Sequence, residues 1–315
     1  MTTGRSHSQP HAHGAPRQTA PAAPDGADRA FAIGVAANAC FVVVEAALGV
    51  FSGSLALLAD AGHNLSDVLG LLLAWGAFRL ARRAPTARRT YGLGRTTILA
   101  ALLNAVLLAA VSGGIAWEAV RRLASGAGPV AGSVVMWAAG AGIVVNGGTA
   151  LLFLRRRTDL NARAAFLHMA SDAGVSAGVV VAGVAMRATG AAWIDPAVGL
   201  VVVAAIAAGT WGVLRESLDL VLDAVPRGVD RDAVEAYLTS LPGVTAVHDL
   251  HIWGMSTTES ALTAHLVKPD PSGDDALLAR ICEDLARRFG IAHATLQWER
   301  GDGSHVCRLA SPDVV

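Results

Sequence analysis

Six apolar stretches occupy most of the chain, near residues 30–51, 55–80, 97–119, 130–154, 162–186 and 194–214, each long enough to cross a bilayer. Inside hydrocarbon every backbone amide must be satisfied within the protein, so such stretches are confined to helices packed as a bundle. Two of the six break the apolar pattern in the same way. The second carries His63 and Asp67 in LLADAGHNLSDVLGLLLAWG, and the fifth carries His168 and Asp172 in NARAAFLHMASDAGVSAGVVVAG. Four residues make just over one helical turn, so each histidine shares a face with its aspartate, about 6 Å apart along the axis. Ionisable side chains are costly at membrane depth and mark ion or substrate paths. Two imidazoles and two carboxylates facing each other make a four-ligand nitrogen and oxygen site, which suits zinc.

The charge content agrees with a membrane protein. Only 16% of the residues are charged, against about a quarter in soluble domains. The net formal charge is zero and the arginines cluster between apolar stretches, which argues against a nucleic-acid partner. Cys40, Cys282 and Cys307 have no spacing that suggests a disulfide framework. Residues 1–28 are polar and rich in Pro, Ala and Gly, and read as a disordered tail with no cleavable signal. Its histidines, His7, His11 and His13, either hold metal loosely or are incidental.

Orientation follows from the basic loops. RLARRAPTARRTYGLGR joins the second and third spans and RRRTDLNAR joins the fourth and fifth, so both loops and both termini are expected on the cytoplasmic side of the cell membrane. Arg121 and Arg122, at the other end of the third span, dissent. The transmembrane domain is expected over 29–214. A cytosolic α+β domain of order αββαβ follows over 215–301, opening with a polar linker, and 302–315 reads as a loose tail. Its elements are a helix at 231–240, strands in VTAVHDLHIWGM and SALTAHLV, a helix at 273–289 and a last strand, ATLQWE. In a regular strand His248 and His251 point to opposite faces, whereas His265 in the next strand can pair with His248.

LLADAGHNLSD, YGLGR with LAALLNAVLL, NARAAFLHMASD and WIDPAVGL together resemble the cation diffusion facilitator family over roughly residues 30–300. The resemblance implies a metal/proton antiporter of six spans with a cytosolic domain, working as a homodimer, and the His/Asp pairs resemble its zinc-exporting branch. It implies further that His248, His265 and Glu299 hold zinc in the cytosolic domain, with His293 and Cys307 as additions. Ordinary surface histidines are the alternative. Two departures stand out. Arg95-Thr96-Thr97 replaces the Arg-x-Glu often seen after the YG motif, and the 81–95 loop has no Asp or His for the additional metal site of some members.

The ligand chemistry suggests how a site at His63, Asp67, His168 and Asp172 would work. Metal and protons compete for the same groups, and histidine titrates near neutral pH, so a proton gradient can drive metal outward. Asp60, three residues before His63, either fixes the histidine's tautomer or lines the cavity mouth. Asn38, Glu45, Asn104 and Asn146 are read as interhelical hydrogen-bonding groups or cavity lining. Nothing in these residue types singles out zinc over Co, Ni, Cd, Fe or Mn, and a membrane metal sensor without transport is the rival reading. An intramembrane metalloprotease would need His-Glu-x-x-His and a nucleotide-driven pump a P-loop. Neither pattern occurs, and no enzyme activity is expected.

Overall fold

The computed structural model describes residues 25–126, 128–154, 160–270, 275–302, 307 and 309. The histidines of the N-terminal tail and the side chain of Asn38 lie outside the described residues. Six long helices come first: α1 (Asp25–Ser52), α2 (Leu55–Ala81), α3 (Thr96–Ser125), α4 (Gly132–Leu154), α5 (Leu160–Thr189) and α6 (Ile194–Val221). By length and composition, α3 to α6 are able to cross a membrane, and the described apolar part of α1 is Ala39–Ser52. Helix α2 carries Asp60, His63, Asn64 and Asp67 on the turns before its apolar second half.

Local chemistry sets the breaks between helices. Gly53 takes a φ of 69°, and the Ser54 hydroxyl then caps α2 by accepting the Leu57 amide at 3.2 Å. Gly190, with a φ of 69°, closes α5 in the left-handed conformation that suits glycine. Pro196 sits in the first turn of α6, where its missing N–H costs no helical bond. Small residues let the helices approach closely. A Cβ on Gly183 of α5 would come within 3.1 Å of the Gly132 carbonyl oxygen and the Met136 amide nitrogen on α4. Large side chains such as Phe51, Trp117, Trp137 and Val144 point outward and are exposed, as lipid-facing residues are.

The C-terminal unit follows the expected order: α7 (Arg231–Thr239), β1 (Ala246–Gly254), β2 (Ser260–Val267), α8 (Asp275–Phe289) and β3 (Ile291–Glu299). The strands form one sheet ordered β1-β2-β3, with β1 antiparallel and β3 parallel to β2. Helices α7 and α8 cover one face, burying Val234, Leu238, Ile252, Leu262, Leu266, Ile281 and Leu285. Each large apolar side chain buried this way contributes about 1.5–3 kcal/mol, so the unit has a core of its own.

Three expectations are corrected. Residues 215–221, read as linker, continue α6 through Val221, so the membrane-domain helix outlasts its apolar stretch. Helix α1 begins at Asp25, inside the segment read as tail. Most consequential, His248 and His251 do not lie on opposite faces. His248 pairs with His265 and His251 with Thr263, so β1 holds one extra residue between them, and Asp249 there adopts a φ of 52°. This bulge resets the alternation and puts both histidines on the sheet face away from α7 and α8.

The two units meet at the connection between α2 and α3. The Thr97 hydroxyl accepts the Thr257 amide at 3.1 Å, Arg95 pairs with Asp223, and the Tyr91 and His293 rings meet edge-on at 5.4 Å. A Cβ on Gly94 would lie 2.9 Å from the Met255 carbonyl oxygen, so glycine is required at this approach. Thr97, at the position where the resembled family often has Glu, thus joins the start of α3 to the β1–β2 turn.

Candidate metal centre

Helices α2 and α5 bring the two pairs together. One ligand atom from each of His63, Asp67, His168 and Asp172 lies within 4.8 Å of the others. The contacts across the helices are the shorter ones. His168 Nε2 lies 3.1 Å from Asp67 Oδ2, and His63 Nε2 lies 3.5 Å from Asp172 Oδ1. Within each helix the histidine–aspartate distance is 3.7 Å. A diagonal arrangement of this kind is what antiparallel helices produce. A tetrahedral zinc site with ligands at about 2.0–2.1 Å has edges of about 3.3 Å, so the cross-helix distances are already close to those of a coordination shell. The imidazole rings meet nearly perpendicular, with centroids 6.0 Å apart.

These residues line a cavity of about 460 Å³, shared with Asp60, Asn104, Leu108, Ser171 and the α6 residues from Val202 to Val213. Among the described residues no Lys or Arg lines it, so no fixed side-chain cation there competes with a metal ion. Exposure is graded across the site: the Asp172 side chain is 3% exposed, His63 22%, Asp67 23% and His168 43%. Helix α5 therefore supplies both the deepest and the most open ligand.

Asp60 lines this cavity but does not set the His63 tautomer. Its Oδ2 accepts the Ser176 hydroxyl at 3.0 Å, and among the described residues His63 Nδ1 has no hydrogen-bond partner. Two of the polar residues read as interhelical are so in fact. Asn64 Nδ2 donates to Glu45 Oε2 at 3.3 Å, and the Ser66 hydroxyl donates to Asn104 Oδ1 at 3.3 Å. Asn146 is buried, with both amide atoms unpartnered among the described residues. The dissenting arginines share one carboxylate, which offsets half of their charge: Glu118 accepts from Arg121 at 2.7 Å and from Arg122 at 2.9 Å.

A second cluster lies on the open face of the sheet. His248 Nε2 is 3.1 Å from Glu299 Oε2, and His265 Nδ1 is 2.9 Å from Glu299 Oε1. The Cys307 sulfur is 3.4 Å from His265 Nδ1, and one ligand atom from each of the four residues falls within 4.8 Å of the rest. A backbone hydrogen bond to Leu309 favours the Cys307 thiolate, but burial and the Glu299 carboxylate outweigh it and hold the thiol above its ordinary range. Two imidazoles, a carboxylate and a thiol form a donor set suited to zinc. His293 is not part of it. It lies six residues back along β3, about 20 Å away at strand rise, against Tyr91. Sequence reasoning missed Asp249, whose Oδ2 lies 3.5 Å from His265 Nε2 and whose Oδ1 lies 2.9 Å from His251 Nε2. An acid between two histidines was the available signal, but its contact depends on the bulge.

Comparison with known proteins matches the chain to a family over both units. The cation efflux transmembrane domain model matches residues 31–222, and the cation efflux protein cytoplasmic domain model matches residues 226–301. The cation efflux system protein CzcD of Alcaligenes sp. (strain CT14) is 35% identical over 283 residues, 88% of each chain. The zinc transporter ZitB of Pectobacterium atrosepticum is 37% identical over 274 residues, 85% of each chain. A cadmium, cobalt and zinc/H(+)-K(+) antiporter of Bacillus velezensis is 32% identical over 271 residues, 84% of this chain and 86% of its own.

Proposed function

Because the chain belongs to the cation efflux family, whose members carry divalent metal cations out across membranes, we propose that it is a proton-coupled exporter of Zn2+ acting from the cytoplasm. The observation that carries this reading is the diagonal cluster of two imidazoles and two carboxylates, with cross-helix distances of 3.1 and 3.5 Å. Asp67 and Asp172 cancel the charge of the dication, which lowers the cost of holding it at membrane depth. His63 and His168 supply the borderline-soft nitrogens that favour zinc over magnesium or calcium. Cadmium and cobalt satisfy the same donors, and the Bacillus relative is named for both.

Binding zinc requires both imidazoles neutral and both carboxylates ionised, so loading the site expels protons and protonating it expels zinc. Facing the cytoplasm, the site loads metal; facing outward, it takes protons and releases it. The antiporter name of the Bacillus relative supports this coupling. The basic α2–α3 connection supports a six-span bundle in the cell membrane with the C-terminal unit and both termini on the cytoplasmic side. The matched cytoplasmic domain is the family's dimer module, which supports a homodimer. In it His248, His265, Glu299 and Cys307 would hold a regulatory zinc ion, with Asp249 fixing the His265 tautomer through Nε2. The sensor reading is set aside because a sensor has no use for a ligand set inside the helical bundle.

Proteoliposomes with an imposed pH gradient and a metal panel test the proposal. The expected result is zinc movement that rises with the gradient and is matched by counter-movement of protons. Zinc transport indifferent to the gradient, with no proton movement, overturns the coupling.

A further inference from the structure

The second half of α2 and the connection after it carry a charge that the metal chemistry does not use. From Val68 to Arg95 the sequence holds six arginines and no Asp, Glu or His. Arg95 pairs with Asp223; among the described residues none of the other five, Arg79, Arg82, Arg83, Arg88 and Arg89, meets a carboxylate. Topology alone asks only for positive charge on this side of the membrane. Two of the arginines are placed more closely than that. Arg79 lies over the Trp75 ring and Arg82 over the Phe78 ring, each guanidinium carbon 5.2 Å from the ring centroid. An aromatic face attracts a guanidinium at this distance, so the two rings hold two cations side by side at the cytoplasmic end of α2.

The same two rings line a groove of about 840 Å³ and are 60% and 56% exposed. Helix α3 contributes Ala101 to it, α6 contributes Val213 and the β1–β2 turn contributes Thr257, so both units border the groove. Asn104 and Val213 line both this groove and the metal cavity. Gly70 packs against Asn104 so closely that a Cβ there would lie 2.9 Å from its Nδ2, which makes the partition one side chain thick. The groove is therefore an apolar volume with two fixed cations at its mouth. A zwitterionic lipid matches the walls and brings no net charge to the arginines, and a free phosphate matches the arginines and leaves the walls uncovered. An anionic lipid matches both. We propose that an anionic phospholipid of the cytoplasmic leaflet binds here, with an acyl chain in the groove and its phosphate at Arg79 and Arg82, and that its binding raises transport. The chain covers the bilayer side of the Asn104 partition, and the lipid touches both units. The binding rests on the membrane orientation proposed above, and its effect on transport rests on the exporter reading.

Lipid retention tests the site without reference to transport. Purified full-length protein is delipidated in detergent and incubated with phosphatidylglycerol or with phosphatidylcholine of the same chain length, and the lipid kept by each protomer is counted by native mass spectrometry. Phosphatidylglycerol is expected to be retained at least about tenfold more tightly. Arg79→Gln with Arg82→Gln is expected to abolish that preference. Arg88→Gln with Arg89→Gln removes the same charge from the tight turn between Thr86 and Arg89, outside the groove lining, and is expected to preserve it. Equal retention of the two lipids, or equal losses in the two double variants, would reduce the effect to acyl chain or surface charge alone and overturn the proposal. So would displacement of the lipid by inorganic phosphate, or a parent dimer that keeps no lipid and falls apart in the Arg79/Arg82 variant, which would make this face a protein interface. In proteoliposomes, replacing about a fifth of the phosphatidylcholine by phosphatidylglycerol is expected to raise zinc transport at least about twofold in the parent and in the Arg88/Arg89 variant, and to leave the Arg79/Arg82 variant unchanged. The same rise in all three proteins would overturn the claim on transport. A protein that retains the lipid as expected but moves no divalent metal in either membrane would instead refute the exporter reading.

Discussion

Asp172→Asn removes one negative charge from the proposed transport site while keeping the shape of the side chain. In the structure Asp172 lies 3.5 Å from His63 Nε2 and 3.7 Å from His168 Nε2, with its side chain 3% exposed. At a metal–oxygen distance of about 2.1 Å, a unit charge against a dication is worth about 4 kcal/mol even at the dielectric of bulk water. That corresponds to about three decades in affinity, and the carbonyl oxygen of asparagine recovers part of it. The expected loss is therefore at least about a hundredfold. The assay is isothermal titration of purified full-length protein with zinc in the His265→Ala background, which removes the cytosolic cluster, paired with the zinc dependence of initial transport rates in proteoliposomes. Asp67→Asn serves as an internal comparison. Its side chain is 23% exposed, so cavity water screens its charge and the loss is expected to be smaller. Binding and transport affinities of Asp172→Asn within about threefold of the parent would refute the reasoning, because a buried carboxylate that touches the metal cannot be neutralised so cheaply.

Two further outcomes are expected. In the Asp172→Asn background, zinc at about a hundred times its Kd for the cytosolic cluster should stabilise the protein by about 2.7 kcal/mol, and His265→Ala should abolish the rise in unfolding temperature; a rise that survives would put the metal elsewhere. Tyr237 donates to Asp284 at 2.9 Å; burial, then that carboxylate, push the phenol up to about 12, while the Tyr237 hydroxyl, then Arg287, hold Asp284 below its ordinary 3.8. The raised phenol contributes stability below its ordinary 10.0 that is lost as pH rises through about 12, and the lowered carboxylate contributes stability above 3.8 that is lost as pH falls through its folded value. The destabilisation by Tyr237→Phe should therefore be flat between about pH 4 and pH 10 and shrink outside that window, and a deficit that persists unchanged at lower pH would exclude the bond as its source.

The histidine–aspartate pairs are legible in the sequence because the helical period turns a spacing of four into a shared face, and because antiparallel spans can join two such faces only diagonally. Features that depend on partners far along the chain are not legible. Asp195 opens an apolar stretch like any helix-start acid, and the Leu55 and Ala56 amides that it accepts lie about 140 residues earlier. The helical continuation of α6 to Val221 contradicts a composition that includes Arg215, Glu216 and Asp219, because that end of the helix leaves the bundle to meet the C-terminal unit, where Leu220 lies against Gly254. The bulge at Asp249 is the most instructive case. Period-two reasoning places His248 and His251 on opposite faces, and it fails through one inserted residue that no spacing rule detects. The insertion changes the chemistry as well as the register. It presents Asp249 to His265 Nε2, leaving Nδ1 as the nitrogen that faces Glu299 and Cys307. The second cluster therefore depends on a backbone irregularity: a regular β1 would keep His248 opposite His265 but would lose the carboxylate that orients His265 toward the other donors.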